Sequence, residues 1–332
     1  MAHDWLVTYG GSEAVLETLL RAFPVERVHT SVYDRAAFRN SVIARQDVRA
    51  SFIDRLPGAR HHHRQFLPLM PLAVEQYDLR SADVVLSNAC ALAHGVITRP
   101  DQAHVAYFNR TMTYAWDTYL DDLEAFGVAR GLKGLIARRA YHSLRQWDFQ
   151  AGQRPDVLVA NSRYAAARIW KHYRREALVI PPPVMLDPQP NFGERGDAFV
   201  LVGRLVPVKR PDVVVEAFNR LRLPLEVIGD GPLRASLRAR AGPNVRFLGA
   251  LDRPALYRAV REARGLVLAS EENFGLVSVE AQSSGTPVVA LARGGSLETV
   301  KPGVTGLLFD APTPEAVQAA VLDLIRTPER FP

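Results

Sequence analysis

Ser270–Gly295 reads S-E-E-N-F-G-L-V-S-V-E-A-Q-S-S-G-T-P-V-V-A-L-A-R-G-G, and this stretch decides the fold. A short apolar run at 266–269 precedes it and predicts a buried strand. A second apolar run, 288–291, follows a Gly-Thr-Pro turn, and residues 274–284 between the two runs have a helix-compatible composition. Strand, polar loop, helix, turn and strand in this order predict one repeat of a parallel α/β layer.

Two carboxylates, Glu272 and Glu280, bracket the polar loop and the helix that follows it. Glu272 falls where the carboxyl end of a strand meets a helix start, and Glu280 falls a turn or more into that helix. We expect amides of Phe274, Gly275 and Leu276 to point out of the helix N-terminus, where they attract an anion. Backbone amides can bind the phosphates of a nucleotide sugar, and the neighbouring carboxylates can bind its sugar hydroxyl groups. The loop therefore suits a nucleotide sugar as its ligand. The plainer interpretation is a solvated acidic loop before an ordinary helix.

The two glutamates belong to a longer pattern. Its residues are Glu272, Phe274, Gly275, Glu280, Ala281, Gly285, Pro287, Val288, Gly294, Gly295 and Glu298. The pattern resembles the signature of the retaining glycosyltransferases of family 4. This resemblance implies the GT-B fold, an α/β architecture in which two Rossmann-like, doubly wound parallel-sheet domains face a cleft. It also implies that Glu272 lies beside the donor sugar and its phosphates and that Glu280 binds the ribose hydroxyls.

Arg204 and Lys209 flank a second predicted strand-to-helix loop, after the apolar run 199–202. Arg can hold a phosphate with two donors while Lys acts as a point charge, so the two together suit a diphosphate. Taken alone, two cations in a loop are more often simply solvated. Family 4 chains carry Gly-Arg-Leu, three residues and then Lys at this position, and the resemblance assigns both cations to the diphosphate. Arg204, Lys209 and Glu272 are therefore the predicted catalytic residues.

Glycine loops supply further predicted donor contacts. Gly229 and Gly249 end apolar runs, and in the family such loops surround the nucleotide base through backbone groups; the alternative is a tight strand-to-helix turn. Gly10 and Gly11 open an amphipathic helix, where a missing side chain permits close approach to an anion. An isolated Gly-Gly pair is more often a simple turn, but in family 4 the matching loop faces the cleft and the donor's phosphates.

The segment 107–117, Y-F-N-R-T-M-T-Y-A-W-D, resembles a branch of family 4 that works in exopolysaccharide and O-antigen assembly. Asn109 stands where that branch has a His thought to touch the donor sugar, and Thr113 stands where it has Arg. An Asn amide still hydrogen-bonds a hydroxyl group but cannot carry a proton. The branch implies a hexose donor, with mannose from GDP-mannose favoured, and a glycan or lipid-linked acceptor.

Length and composition predict two soluble domains. The 332 residues suffice for about two domains at ~150 residues each. Prolines at 181–183 exclude a helix or a central strand. We therefore place a linker at 181–195, between an acceptor-binding domain at 1–180 and a nucleotide-sugar-binding domain at 196–332. Residues 1–6 supply only the tail of the strand that family members carry before the Gly-Gly loop, so the first strand is expected to be truncated.

Net charge and cysteine content limit the classes of binding partner and the cellular compartments that are compatible with this protein. The net charge of +6 is compatible with nucleic acid, anionic lipid or a phosphorylated substrate, and no nucleic-acid-binding module is recognisable. A single cysteine, Cys90, excludes an internal disulfide and a Cys-based zinc cluster, which favours a reducing cytoplasm. No apolar run reaches the ~18 residues of a membrane span. We expect a cytoplasmic protein, with peripheral attachment to the inner membrane face as a further hypothesis.

That hypothesis depends on residues 126–154, where Leu132, Leu135, Ile136 and Leu144 alternate with basic residues at helical spacing. The plainer interpretation is a core-facing helix with a solvated basic face. The sharper one is a surface that rests on anionic lipid headgroups.

The chemistry implied by the resemblance is sugar transfer with retained configuration, without a metal or cofactor. Three consecutive histidines, 61–63, cannot share one face of a helix or strand, which argues against a metal site. Arg204, Lys209 and helix N-termini would stabilise the leaving diphosphate while that phosphate accepts the acceptor's proton. The alternatives are a non-catalytic or nucleotide-binding GT-B relative, favoured by Asn109 and Thr113, and a nucleotide-sugar epimerase.

Overall fold

The chain divides into two compact units, Met1–Pro183 and Val184–Pro332. The computed structural model describes residues 1–125, 127, 128, 130–187, 189, 190, 195–327 and 331. Of the predicted linker, residues 188 and 191–194 lie outside the described residues, as do 126 and 129 of the basic segment. Residues 181–187 have no regular secondary structure, in keeping with their three prolines.

The first unit contains a seven-stranded parallel sheet with the strand order β3-β2-β1-β4-β5-β6-β7. Its strands are β1 (Ala2–His3), β2 (Arg27–Thr30), β3 (Asp47–Ala50), β4 (Val84–Ala89), β5 (Ala103–Phe108), β6 (Val157–Ala160) and β7 (Leu178–Val179). Both neighbours of β1 pair with Ala2 and His3, so this short strand lies inside the sheet, between β2 and β4.

Helices alternate with these strands along the chain, as in a doubly wound α/β domain. They are α1 (Gly11–Ala22), α2 (Ala59–His62), α3 (Met70–Glu75), α4 (Thr113–Trp116), α5 (Tyr119–Ala125), α6 (Gly131–Ala151) and α7 (Arg163–Tyr173), with short 3₁₀ turns between them. The Ser162 hydroxyl accepts a hydrogen bond from the Ala165 amide and so caps the start of α7. Alternate residues of β4, β5 and β6 supply the buried core, for example Val85, Ala106 and Leu158.

The second unit contains a six-stranded parallel sheet with the order β10-β9-β8-β11-β12-β13. Its strands are β8 (Phe199–Val202), β9 (Leu225–Ile228), β10 (Val245–Gly249), β11 (Gly265–Leu268), β12 (Val288–Leu291) and β13 (Gly306–Phe309). Its helices are α8 (Pro211–Leu221), α9 (Arg234–Arg240), α10 (Arg253–Glu262), α11 (Leu276–Ser283), α12 (Ser296–Thr299) and α13 (Pro314–Arg326).

The strand order of this second sheet reverses between β8 and β11. Apolar side chains cover both of its faces in two separate clusters, one around Phe199 and Phe218 and the other around Val200 and Leu266. Ligands of doubly wound sheets bind at the carboxyl ends of the strands on either side of such a reversal. The prediction of two Rossmann-like parallel-sheet domains is confirmed. The reversal places the expected ligand site at the loops that follow β8 and β11.

Candidate functional site

Five loops of the second unit leave the same edge of its sheet, because all six strands are parallel. Gly203 and Arg204 follow β8, Gly229 follows β9, and Gly249 ends β10. Residues 269–275 follow β11, and residues 292–295 follow β12. Arg204 is exposed to solvent in the first of these loops. The structure thus gathers most of the predicted donor-binding residues along one edge.

Glycine lets the loops after β8 and β9 touch through their backbones. A Cβ atom on Gly229 would lie 2.0 Å from the carbonyl oxygen of Gly203, and the φ of Gly229 is +131°. Any side chain at this position would therefore push the two loops apart. The Gly229 amide in turn donates a hydrogen bond of 2.7 Å to the Gly249 carbonyl. Gly229 and Gly249 therefore hold neighbouring loops close together. Their contact with the nucleotide base, which the family resemblance implies, stays a prediction.

Lys209 and Glu272 meet in this edge, although 63 positions separate them in the sequence. The Lys209 ammonium lies 2.6 Å from one carboxylate oxygen of Glu272 and 2.5 Å from the other. The Ser270 hydroxyl donates a further hydrogen bond of 2.5 Å to Glu272. The side chain of Glu272 is 15% exposed and that of Lys209 is 35% exposed. Both side chains are therefore half-buried and not fully enclosed.

The Lys209–Glu272 pair keeps the carboxylate ionised. Burial by itself would raise the pKa of Glu272, but the positive charge and hydrogen bonds of Lys209, with the bond from Ser270, hold that pKa below its ordinary value. A short 3₁₀ turn, Pro207–Lys209, carries the lysine, and Arg210 in the left-handed conformation then starts α8. The lysine thus stands at the end of a fixed turn and reaches the carboxylate through a flexible side chain.

The main chain of Glu272 is fixed by the loop after β12. The Gly295 amide donates a hydrogen bond of 2.7 Å to the Glu272 carbonyl. A Cβ atom on Gly294 would lie 2.3 Å from that same carbonyl oxygen, so only glycine fits there. The signature Gly-Gly therefore sets the position of Glu272.

Helix α11 begins at Leu276, two residues later than the composition predicts. Gly275 precedes it with a φ of +93°, and its carbonyl accepts hydrogen bonds from the amides of Ser278 and Val279. The helix ends at Ser283. Phe274 therefore precedes the helix cap, and its carbonyl packs against Gly295. The expectation that Phe274 belongs to the helix start is wrong, because the left-handed glycine delays the first turn.

Glu280 lies in the second turn of α11 and has a different partner. One of its carboxylate oxygens is 3.7 Å from the Arg253 guanidinium at the start of α10. Burial raises the pKa of Glu280 above its ordinary value, and the charge of Arg253 offsets only part of this shift. Ser270 and Arg253 are two residues that the sequence analysis missed, since neither differs from an ordinary polar residue before the fold brings it next to a glutamate.

In the first unit, Gly10, Gly11 and Asn109 lie at the carboxyl edge of the sheet. Gly10 precedes α1, which begins at Gly11, and Asn109 directly follows β5. The Asn109 side-chain amide donates a hydrogen bond of 2.6 Å to Asn88, and Asn88 donates one of 2.8 Å to the carbonyl of Ser12. Asn88, a buried residue of β4 that the sequence analysis missed, therefore links Asn109 to the turn that starts α1.

A buried acid–base pair lies under the same turn. The Glu13 carboxylate is 3.3 Å from His3 and accepts a hydrogen bond of 2.9 Å from the Ser12 hydroxyl. Burial would raise the pKa of Glu13, but the hydrogen bond and charge of His3, with the bond from Ser12, hold it below its ordinary value. A negative charge at this helix start weakens its attraction for an anion. The phosphate contact assigned to Gly10 and Gly11 stays a prediction.

The three consecutive histidines end α2 and begin a 3₁₀ turn. His63 packs its ring against Trp5, with 5.0 Å between the ring centres. Among the residues that the structure describes, no group of three or more His, Cys, Asp or Glu side chains could hold a metal ion. In the same part of the chain, no helix is both long enough and apolar enough to cross a bilayer.

Residues 186–330 match the family model described as "Glycosyl transferases group 1". The matched residues cover most of the second unit and include Lys209 and Glu272. The chain is 36% identical over 201 residues to a D-inositol 3-phosphate glycosyltransferase of Geodermatophilus obscurus, across 50% of this chain and 44% of that relative. It is 32% identical over 237 residues to a glycogen synthase of Thermus caldophilus, across 66% of this chain and 51% of that relative. The chain spans about half the length of these curated relatives.

The fold is similar over the whole chain to that of a solved protein, Anabaena Alr3699/HepE in complex with UDP-glucose. The two share 16% sequence identity and a TM-score of 0.64, and the alignment covers 100% of this chain and 91% of the other. At so low an identity the similarity concerns the fold alone. The predicted GT-B fold, with its two Rossmann-like domains, is confirmed.

Proposed function

We propose that this chain is a glycosyltransferase that takes a sugar from a nucleoside diphosphate donor and attaches it to an acceptor hydroxyl group. The observation that carries the proposal is the half-buried ion pair between Lys209 and Glu272 at the carboxyl edge of the second sheet. The contact lies within residues 186–330, the part that matches the group 1 family. A cation for a phosphate and a carboxylate for sugar hydroxyls are adjacent there.

Without a ligand, Lys209 and Glu272 neutralise each other. A donor diphosphate carries more negative charge than one carboxylate, so it would attract the flexible Lys209 ammonium, and exposed Arg204 would hold a second side of it. The Glu272 carboxylate would then be free to accept hydrogen bonds from the hydroxyls of the sugar. Ser270 would keep the carboxylate in place during this exchange.

In the transfer step, the bond from the sugar's anomeric carbon to the diphosphate breaks and a bond to the acceptor oxygen forms on the same face. The departing phosphate oxygen takes the acceptor's proton, and the configuration is retained. Negative charge grows on the diphosphate as it leaves, and Lys209 and Arg204 stabilise that charge. This is the chemistry that the resemblance to family 4 implies.

The remaining roles follow the same resemblance. Glu280 would bind the ribose hydroxyls, and the loops at Gly229 and Gly249 would surround the base. The turn formed by Phe274, Gly275 and Leu276 would approach the phosphates through its backbone, as would Gly10 and Gly11 in the first unit. Asn109 would hydrogen-bond a hydroxyl group of the sugar.

A hexose is the proposed sugar, with mannose favoured, and the proposed acceptor is a glycan or a lipid-linked sugar. The solved neighbour that holds UDP-glucose makes uridine donors equally worth testing. The proposed location is the cytoplasm, in keeping with the single cysteine, with peripheral attachment to the inner membrane face.

Release of nucleoside diphosphate from GDP-mannose, UDP-glucose and UDP-GlcNAc tests the proposal. The wild-type chain should release the diphosphate from at least one donor. Glu272→Gln should lower the rate by roughly a hundredfold or more, since it removes a charge beside the reacting sugar, with nucleotide affinity changed only a few fold. Glu271→Gln is the matched control, because Glu271 is the exposed neighbour of Glu272 and should leave the rate unchanged.

Two results would reject the enzyme proposal. If no donor yields a diphosphate and none binds, the chain has no donor site. If donors bind to the wild type and none turns over, the non-catalytic nucleotide-binding alternative gains support. The Asn109 amide held by Asn88, at the place of the family histidine, favours that alternative over an epimerase, which needs a proton-carrying group.

A further inference from the structure

Glu280 is a half-buried carboxylate whose acceptor positions are not filled by the protein. Its side chain is 21% exposed, and neither of its oxygens is enclosed by the described residues. The hydroxyls of Ser283 and Ser284 donate to the main-chain carbonyl of Glu280 and not to its side chain. An ionised carboxylate can accept about four hydrogen bonds. The side chain of Glu280 therefore keeps this capacity for the hydroxyl groups of a ligand.

Arg253 supplies a positive charge beside this carboxylate without bonding to it. Its guanidinium lies 3.7 Å from one oxygen of Glu280, which is longer than a hydrogen bond. Lys209, by contrast, hydrogen-bonds to both oxygens of Glu272. The pair of Arg253 and Glu280 thus brings opposite charges together and leaves the carboxylate oxygens available.

Burial and charge act on Glu280 in opposite directions. Burial raises the pKa of Glu280 above the ordinary carboxyl value and so favours the neutral form, whereas the charge of Arg253 favours the ionised form. A neutral carboxyl group is a weaker acceptor than a carboxylate. Loss of Arg253 should therefore weaken every hydrogen bond that Glu280 accepts from a ligand.

Arg253 is itself held by a residue one turn further along α10. The guanidinium donates a hydrogen bond of 3.2 Å to the Tyr257 hydroxyl, and its central carbon lies 5.9 Å from the centre of the Tyr257 ring. The Tyr257 hydroxyl in turn donates a hydrogen bond of 2.7 Å to the carbonyl of Met185. Asp252 caps the start of the helix through the Ala255 amide. These contacts restrict the arginine side chain that faces Glu280.

We propose that Arg253 is a positioning residue that holds the Glu280 carboxylate ready for the two hydroxyl groups of a ribose, and that the pair makes the site selective for ribonucleotides. The inference rests on the proposed function, in which Glu280 binds the ribose. The 2′ and 3′ hydroxyls can each donate to the carboxylate, and a 2′-deoxyribose has lost one of these donors. The simpler alternative is an ion pair that only joins α10 to α11.

Calorimetric titration of the full chain tests the proposal with four nucleotides: UDP, GDP and the 2′-deoxy form of each. The wild type should bind at least one ribonucleotide roughly tenfold more tightly than its deoxy form, since a hydrogen bond to a charged group is lost. Arg253→Gln should reduce this preference to roughly threefold or less, because the carboxylate is held less firmly and is less often charged. Arg253→Lys should restore part of the preference, because it keeps the charge.

Further variants separate positioning from a general effect on the fold. In a Glu280→Gln background, Arg253→Gln should cause no further loss of the preference, because the carboxylate on which it acts is gone. Arg258→Gln removes an exposed arginine from the same helix and should keep the wild-type preference. The melting temperature of each variant checks that it is folded.

The outcomes distinguish this inference from the proposed function. A wild type that binds no nucleotide would reject the donor site, and this inference with it. Nucleotide binding with the same ribose preference in Arg253→Gln as in the wild type would reject this inference alone, as would a further loss in the Glu280→Gln background. Equal weakening of both sugar forms would assign Arg253 to the packing of α10 on α11 and would also overturn the proposal.

Discussion

Each unit of this protein holds a carboxylate at the carboxyl edge of its sheet, and the two are held in opposite ways. Asp4 in the first unit is 2% exposed, and its oxygens accept hydrogen bonds of 2.5 to 2.9 Å from four consecutive backbone amides, those of residues 90–93. Glu272 in the second unit is half-buried and is held by one lysine side chain and one hydroxyl group. The first carboxylate is closed in by the main chain, and the second is held by groups that can move.

The difference separates a structural carboxylate from one suited to a ligand. Four consecutive amides form a nest that would bind a phosphate if Asp4 did not already occupy it. No ligand can enter there without breaking these four hydrogen bonds. At Glu272, a flexible ammonium can turn towards a diphosphate while Ser270 still holds the carboxylate. We therefore expect Asp4 to control stability and Glu272 to control turnover.

The largest expected effect is on stability, at Asp4. Asp4→Ala would leave four amides without their acceptor, at a cost of about 1–3 kcal/mol for each buried unpaired group, so the free energy of unfolding should fall by at least about 3 kcal/mol. Glu272→Gln should lower it by less than Asp4→Ala does, because the amide oxygen of Gln can still accept hydrogen bonds from Lys209 and Ser270. Chemical denaturation followed by circular dichroism measures both. A loss at Glu272 equal to that at Asp4 would break the comparison.

A smaller effect is expected at Gly294, which positions the main chain of Glu272. Gly294→Ala introduces a Cβ atom 2.3 Å from the Glu272 carbonyl oxygen, and the φ of +61° disfavours alanine. Gly303→Ala is the matched control: its φ is +75°, and no atom of the described residues lies within 4 Å of the added Cβ. In the control, the free energy of unfolding should fall by about 1 kcal/mol, because alanine disfavours the left-handed backbone conformation.

In Gly294→Ala, the free energy of unfolding should fall by roughly 1–3 kcal/mol more than in the Gly303→Ala control, because the backbone must shift to relieve the contact. Diphosphate release should slow in Gly294→Ala and stay unchanged in Gly303→Ala. If both variants have equal melting temperatures and rates, the loop after β12 does not set the position of Glu272.

The smallest expected effect is a pH dependence at Glu280. Its pKa in the folded chain is above the ordinary value, because burial outweighs Arg253. The stability that Glu280 contributes is therefore present in full below the ordinary carboxyl pKa, and it is lost as the pH rises through the raised folded pKa. Glu280→Gln should be more stable than the wild type near neutral pH, by less than about 1 kcal/mol, and the advantage should vanish in acid.

The contribution of Glu272 to stability should change with pH in the opposite direction to that of Glu280. Its folded pKa is lowered, so its contribution is present above the ordinary carboxyl pKa and is lost as the pH falls through the folded value. Denaturation midpoints of both Gln variants over a series of pH values measure the two trends. Parallel pH profiles for wild type and Glu280→Gln would show that the carboxyl group of Glu280 titrates normally.

Local sequence patterns predicted the elements of the second unit well. The apolar runs 199–202 and 288–291 coincide with β8 and β12, and the run 266–269 is one residue out of step with β11 (Gly265–Leu268). What the patterns did not predict are the contacts between distant loops. The resemblance placed Lys209 and Glu272 at one donor, but their direct contact depends on the reversal of strand order that brings the loops after β8 and β11 together.

The first unit shows a second limit of such patterns. Apolar residues at 132, 135, 136 and 144 share a helical spacing, yet only Leu144 of this set is buried. The buried carboxylate of Asp148 decides which side of α6 faces the core, and an isolated Asp in a sequence is normally taken as a surface residue. In the same way, nothing near Asp4 in the sequence indicates that its carboxylate accepts hydrogen bonds from the four amides of residues 90–93.

The most direct test of the central claim is a calorimetric titration of UDP and GDP into the wild type and into Lys209→Met, with Lys301→Met as the control for loss of an exposed lysine. We predict that the wild type binds at least one nucleotide, that Lys209→Met binds it roughly tenfold more weakly or worse because it lacks the phosphate's cation, and that Lys301→Met binds it as the wild type does. Equal affinities of the wild type and Lys209→Met would contradict the assignment of the donor diphosphate to this pair.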